Sequence, residues 1–320
     1  MNQRRVAIIT ISQGATKTYV LRHQGREDLY IRVGSTSRLA SRELQAQIYA
    51  LGGKLNPEGL PVSGSSLRDL SLERLTDYLS RIVGEEEIPD SDAEWIEYSC
   101  RLGLMVERQD GLPTCTIAGL VLLGYAPRRL LRTSGVRWMA FRGSEKTYDA
   151  LDDRVIDGPV VALWRTLGDG RVAIAENGLI ESLLAVMFPF ISEDAAEVGM
   201  SMRRERHWLY PVEAPREAIL NALARRDWTR PAEAEVVRYA DRIEILSPGG
   251  LQNSMTVDKI IAGRRSARNP LIAQGLRDYG YFEVRGMGVR KKIIPLLIQQ
   301  NGTEPDLIAT EDSLRVVVHR

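Results

Sequence analysis

Apolar and polar positions change period several times along this chain, most sharply between Tyr210 and Leu251. Ile219, Leu220 and Leu223 recur at helical spacing, with Ala218, Ala222 and Ala224 between them, and predict one buried helix face. Pro211 and Pro215 suit the start of that helix, where a missing N–H costs nothing. After Arg226-Asp227-Trp228 the period becomes that of a strand. Val236, Val237 and Tyr239, then Ile243 and Ile245, flank an Ala240-Asp241 turn and predict a hairpin. Its second strand runs into Ser247-Pro248-Gly249-Gly250, where no side chain blocks the close approach of a ligand.

The rest of the pattern is plainer. Val6–Ile11 and Tyr30–Ser35 read as strands, and a helix starts near Ser41 with Leu44, Ile48 and Leu51 on its buried face. Asn56–Ser66, rich in Gly, Pro and Ser, reads as a linker. Residues 67–133 read as helical, with Leu72, Leu75 and Leu79 on one face and Ile96, Leu102 and Leu104 in a later segment. From Val136 a strand leads to Asp157-Gly158-Pro159 and an apolar helix at Val160–Trp164, and Arg203–Glu205 read as an exposed strand edge. Residues 252–268 lack periodicity and read as a mobile basic loop. Asn269-Pro270 supplies an N-cap and first helical position for a helix toward Tyr279. Gly286-Met287-Gly288 precedes a further helix whose first N–H groups could face an anion, and Leu314–Val318 reads as a last strand.

Composition narrows this little. At 320 residues the chain can hold two or three domains, and a net charge of +1 advertises neither nucleic acid nor membrane. Cys100 and Cys115 form no disulfide framework or metal spacing, and His23, His207 and His319 show no ligand pattern. Val6–Ile11 is too short for a secretory core. Leu179–Ile191, broken by Glu181 and Pro189, falls below the ~18 residues of a membrane span. A cytoplasmic protein is expected.

The candidate chemistry sits on the central helix. Glu217 and Asn221 lie one turn apart on one face. A carboxamide oxygen is a hard ligand suited to Mg²⁺, and a nearby carboxylate can orient or deprotonate a water. The same spacing also fits a surface Glu and Asn on an amphipathic helix, since E-x-x-x-N alone is a weak signal.

Longer motifs weigh more. R-E-A-I-L-N-A-L (216–223), R-D-W, D-R-I-E-I, S-P-G-G-L, R-N-P-L-I (268–272) and Y-F-E-V-R-G-M-G (281–288) together resemble a divergent, RecG-related ATPase domain found in bacterial transcriptional regulators and related to the GHKL ATPases. The resemblance implies a two-layer α/β sandwich that binds ATP and Mg²⁺. It makes Glu217 the general base and Asn221 the Mg²⁺ ligand. Gly249 and Gly250 would line the nucleotide pocket, and Gly286 and Gly288 would cradle phosphates. Arg225 and Ser247 join the nucleotide-binding candidates at positions that depart from the family: Arg225-Arg226-Asp227-Trp228 replaces His-Arg-Asp-Tyr, and Ser247 replaces Asn. The loop at 252–268 falls where GHKL proteins carry a lid. Arg264, Arg265 and Arg268 are its phosphate candidates, because guanidinium forks match phosphate oxygens.

Y-I-R-V-G-S-T-S-R-L-A-S (30–41) is similar to the second half of a Schlafen-type AlbA module, which implies contact with nucleic acid. Arg32, Arg38 and Arg42 are the phosphate-contact candidates there, against the alternative of a solvated arginine face. The acidic segment of Schlafen nucleases has no counterpart in this chain, which argues against a nuclease. T-I-A-G-L-V-L-L-G (116–124) resembles the same family's winged-helix-like connector, but Asp92, Glu94 and Glu97 give its helix the wrong sign for a DNA groove. The expectation is an α+β, multidomain chain: an AlbA-like module at 1–55, a connector at 56–130 and a GHKL-like ATPase domain at 131–320. Its expected role is an ATP-binding, slowly hydrolysing regulator of transcription acting on DNA, with a homodimer expected by analogy with GHKL domains. The alternative is a nucleic-acid-binding or scaffold protein whose nucleotide site has degenerated.

Overall fold

Two short hairpins open the described chain, β1 (Leu21–His23) with β2 (Arg26–Asp28) and β3 (Tyr30–Val33) with β4 (Thr36–Leu39), followed by helix α1 (Arg42–Leu51). The computed structural model describes residues 19–108, 110–198, 204–252, 255–264, 267–282 and 288–320. The expected strand Val6–Ile11, Arg203, and the site candidates Arg265 and Gly286 lie outside them. Helices α2 (Leu72–Asp77) and α3 (Asp92–Arg101), the hairpin β5 (Met105–Glu107) and β6 (Pro113–Cys115), then α4 (Ile117–Leu123) and α5 (Pro127–Leu130) make up the middle region. Next come β7 (Val136–Ala140), β8 (Asp152–Ile156), the hairpin β9 (Leu163–Thr166) and β10 (Val172–Glu176), helix α6 (Leu179–Ile191), and the hairpin β11 (Ser192–Val198) and β12 (Arg204–Trp208). The chain then runs through α7 (Glu213–Arg225), β13 (Ala234–Arg238), β14 (Arg242–Pro248), α8 (Val257–Ile261), α9 (Pro270–Asp278), a wide helical turn at Gly288–Ile293 continued by α10 (Ile294–Asn301), β15 (Asp306–Ala309) and β16 (Ser313–His319).

A six-stranded mixed sheet in the order β15-β16-β14-β13-β7-β8 organises the C-terminal half; β13 and β7 run parallel and the other pairs antiparallel. Strand alternation sends Val136, Trp138, Val236, Ile243, Ile245, Val316 and Val318 to one face, where α6, α7 and α10 cover them. The other face carries a small apolar cluster of Met139, Phe141, Val237 and Tyr239 and is otherwise tied by ion pairs. Arg137 meets Asp153 at 2.8 Å, and Glu244 accepts from Arg242 at 2.8 Å and lies 3.4 Å from Arg315. One helix layer on one sheet is the expected two-layer α/β sandwich within an α+β chain.

Helix α4 is buried on every side, which explains its unbroken apolar sequence. Thr116 caps it by accepting from Gly119 N at 3.1 Å, and a Cβ on Gly119 would lie 2.1 Å from the Leu104 carbonyl oxygen.

Several sequence expectations need correcting. Asn56–Ser66 is not a free linker: Val62 and Ser65 are buried, and Glu58 is only 1% exposed. The Glu58 carboxylate accepts from Leu271 N at 2.7 Å and Ile272 N at 2.9 Å, so it caps α9 from 213 residues away. Composition could not reveal this, because the partner is a distant helix start. Val160–Trp164 is not helical: it bends at Val160 and Val161 and enters β9 at Leu163. Its N–H groups bond outward, Val160 N to Val121 O at 2.8 Å and Ala162 N to the Tyr281 hydroxyl at 3.0 Å. Leu72 is exposed while Leu75 and Leu79 are buried, and Leu44, Ile48 and Leu51 of α1 are only half-buried. The 252–268 stretch contains α8, capped by Thr256.

Glu58→Ala should remove about 2–4 kcal/mol of stability, because two buried N–H groups lose a charged acceptor; urea unfolding measures it. A loss below ~0.5 kcal/mol would mean water replaces the carboxylate. Burial pushes the Glu58 carboxyl up, partly offset by its two N–H donors. The native state therefore holds this proton to a higher pH than the unfolded chain does. Stability from this residue falls as pH rises from the ordinary carboxylate range through the raised value, then levels off.

Candidate functional site

Helix α7 forms because its first turn tolerates Pro215 and its alanines and leucines pack on the sheet; Leu220 is fully buried and Ile219 nearly so. Its less apolar face carries the expected pair. Asn221 Nδ2 donates to the Glu217 backbone carbonyl at 2.7 Å and to Glu217 Oε1 at 2.9 Å. Both partners are acceptors, so the amide orientation is fixed by chemistry and Oδ1 is the atom left to accept a cation or a donor. Glu217 is buried at 6% exposure. Across from it, Gly288 lies in the turn that leads into α10. A Cβ there would lie 1.8 Å from Glu217 Oε1, so only glycine lets this turn reach the carboxylate. The structure thus brings Gly288 to the Glu217–Asn221 pair from 67 residues beyond Asn221.

A second group adjoins it. Ser247, at the end of β14, donates its hydroxyl to Ala222 O at 2.8 Å, one residue after Asn221. A narrow cleft, about 20 Å³ in enclosed volume, opens beside it, lined by Arg225, Ser247, Gly249, Gly250, Gln252 and Arg268 among others. The glycines are needed here, but chiefly because the protein itself comes close. Gly249 has φ +103°, and its Cβ would lie 2.1 Å from Arg268 Nη1; a Cβ on Gly250 would meet the Thr310 and Glu311 carbonyl oxygens at 2.7 Å.

The R-N-P segment has a structural role that the motif did not disclose. Arg268 is buried and donates to Gly250 O at 2.7 Å, with Asp227 Oδ2 3.6 Å from its guanidinium. Burial draws its pKa down, opposed by Asp227. It holds the glycine turn instead of standing free for phosphate. Asn269 precedes α9 but does not cap it through its side chain. Its amide donates to Ala224 O at 3.0 Å and Arg226 O at 2.8 Å, closing the C-terminal end of α7. The Arg226-Asp227-Trp228 run is equally internal. Arg226 donates to Ala232 O at 2.7 Å and stacks 4.1 Å from the Trp228 ring centroid, and burial lowers its pKa to about 10. Asp227 accepts from Thr229 N at 3.0 Å and from its hydroxyl at 2.6 Å.

Arg264 is exposed, and a basic run at Arg290-Lys291-Lys292 follows Gly288 on the helix that faces Glu217. The N-terminal candidates are spread out. Arg32 pairs with Ser37, and Arg38 with Ile31, so alternation puts the two arginines on opposite faces of the β3–β4 hairpin. Arg42 opens α1, and all three are exposed. Sequence reading missed Gln252, whose amide donates to Ala50 O at 2.9 Å, and no local signal could have marked it. Among the described residues no group of three or more His, Cys, Asp and Glu could hold a metal, and no helix is long and apolar enough to cross a membrane.

Comparison with known proteins agrees with this architecture. Residues 232–318 match the family described as "Putative ATP-dependent DNA helicase recG C-terminal". The match spans β13 to β16 and includes Ser247, Gly249, Gly250, Arg268 and Gly288, but stops short of Glu217 and Asn221. The crystal structure of the DIP2311 protein from Corynebacterium diphtheriae is similar to 94% of this chain, with a TM-score of 0.53 and 19% identity, a likeness of fold alone. The chain spans 58% of the length of that protein. No curated protein matches it. The C-terminal part of the chain is therefore similar to the RecG C-terminal family over residues 232–318, within a two-layer α/β sandwich of GHKL-like fold.

Proposed function

We propose that the chain binds ATP together with Mg²⁺ between α7, the Gly249–Gly250 turn and the turn at Gly288, and hydrolyses it slowly. The observation that carries this reading is the Glu217–Asn221–Gly288 contact. A buried carboxylate, the amide bonded to it and a glycine of the turn that leads into α10 converge there. The Arg290-Lys291-Lys292 run in that turn would add positive charge for a triphosphate. Asn221 Oδ1 suits Mg²⁺, which takes few protein oxygens and keeps phosphate and water ligands. The ion would neutralise charge on the phosphates. Glu217 would orient or deprotonate the attacking water. Exposed Arg264 would meet phosphate, with Arg265 and Gly286 assigned alongside it from the motif alone. Arg225, Ser247 and Arg268 shape the cleft that would take the base.

Calorimetry with Mg·ATP tests this. Wild-type protein should bind, and Asn221→Ala should weaken binding about tenfold, ~1.4 kcal/mol. Equal affinities would remove Asn221 from the site, and no wild-type binding at millimolar ATP would remove the site itself.

A second reading has its own support. The protein's own groups already occupy the hydroxyl of Ser247, the guanidinium of Arg268 and the space beside Gly249. On that reading the nucleotide fold serves as a scaffold, and the regulator works on DNA through exposed Arg32, Arg38 and Arg42. DNA binding with a steep salt dependence, unaltered by ATP, is its signature. Dimerisation and action in transcription belong to the proposal on either reading.

A further inference from the structure

We propose that Gln252 is a latch through which docking of α1 opposes nucleotide binding; this rests on the nucleotide reading of the α7–Gly249–Gly250 site. Gln252 takes part in two structures at once. It lines the cleft with Ser247, Gly249, Met255 and Arg268, and its amide donates to the Ala50 carbonyl in the last turn of α1. That bond is internal: Gln252 is 7% exposed and Ala50 fully buried. Helices leave their last carbonyls without partners, so the end of α1 gains stability from an outside donor. Ala50 O also accepts from Gly53 N at 3.1 Å, and the Gln252 amide supplies its second bond.

The cleft is small. Its enclosed volume is about 20 Å³, far below the ~300–1,000 Å³ of ligand pockets, whereas a nucleoside triphosphate is a large ligand. Ser247 and Arg268 are bonded to the protein's own backbone, and Gly249 and Gly250 pack closely against Arg268 and the Thr310 and Glu311 carbonyls. Of the remaining lining, Gln252 is the side chain whose withdrawal would widen the cleft at the expense of a bond to another element. Withdrawing Gln252 breaks its bond to Ala50 O. The helix it holds is lightly seated, since Leu44, Ile48 and Leu51 are each half-exposed. Small changes in what grips its end can therefore shift it. Occupancy and docking exclude each other, and by linkage each weakens the other by the same factor.

The test compares wild type with Gln252→Leu, using calorimetry with Mg·ATP and hydrogen exchange of the 42–53 segment. The variant should bind Mg·ATP about fivefold more tightly, the value of one hydrogen bond no longer broken. Mg·ATP should speed exchange in that segment of the wild type, and leave it unchanged in the variant, where it is already fast. Wild-type protein that binds Mg·ATP with α1 exchange unchanged or slowed overturns the latch while sparing the nucleotide site. Binding by neither protein overturns the nucleotide reading, and the latch with it.

Discussion

Asn269→Leu should cost about 3–5 kcal/mol, a large share of the stability of an ordinary domain. The residue is fully buried, and its amide donates to Ala224 O and Arg226 O where α7 ends. Leucine matches its shape but donates nothing, so two carbonyls in the last turn are left buried and unpaired at ~1–3 kcal/mol each. Among the described residues Asn269 Oδ1 has no hydrogen-bond partner, so removing that oxygen returns part of the cost. Urea unfolding measures the difference. A loss below ~1 kcal/mol would show that the α7 end relaxes or takes up water, and the clasp would then matter little. The same substitution bears on function, since α7 carries Glu217 and Asn221 and its C-terminal end sets where they sit.

Gly288→Ala should be nearly as severe, at ~2–3 kcal/mol, because its Cβ falls on the buried Glu217 carboxylate. Mg·ATP binding should be lost with it if the two residues share a site. The informative variant is the double one. Glu217→Ala vacates the space that the new methyl needs, so Gly288→Ala with Glu217→Ala should be more stable than the sum of the single changes by at least ~1.5 kcal/mol. Additive losses would place the strain elsewhere in the turn. Stability and binding are to be measured on the same samples, so that an unfolded variant is not mistaken for one that fails to bind.

The parts of this chain that could be read from sequence are those where local pattern and tertiary role coincide. Helix α7, the β13–β14 hairpin, the helix toward Tyr279 and strand β16 all have the expected period. Helix α7 packs one regular face on the sheet, the strands turn one face to the helices, and α9 packs against α4 and α7. The pairing of Glu217 with Asn221 followed from helical spacing alone. Readings failed where long-range partners decide the outcome. Val160–Trp164 is apolar enough for a helix, but its N–H groups are taken by Val121 and Tyr281. Arg268 and Asn269 stand in a motif that suggested phosphate and a helix cap, yet both bond to carbonyls around the end of α7. A motif preserves which residues are needed and not what they touch. Glycines show this most clearly: Gly249 and Gly250 were expected for a ligand's approach, and the nearest groups are Arg268 and the β15–β16 turn.

The reach of Glu58 into the start of α9 has a consequence for how such chains are inherited. The family match begins at residue 232 and the sheet at Val136, yet one helix of that half is completed by a carboxylate 78 residues upstream of the first strand. A gene fusion that carried off the sheet and its helices alone would leave α9 with two bare N–H groups in an apolar setting. What recombination can move intact is therefore larger than the segment that sequence similarity outlines, and Glu58 marks how far back the cut has to fall.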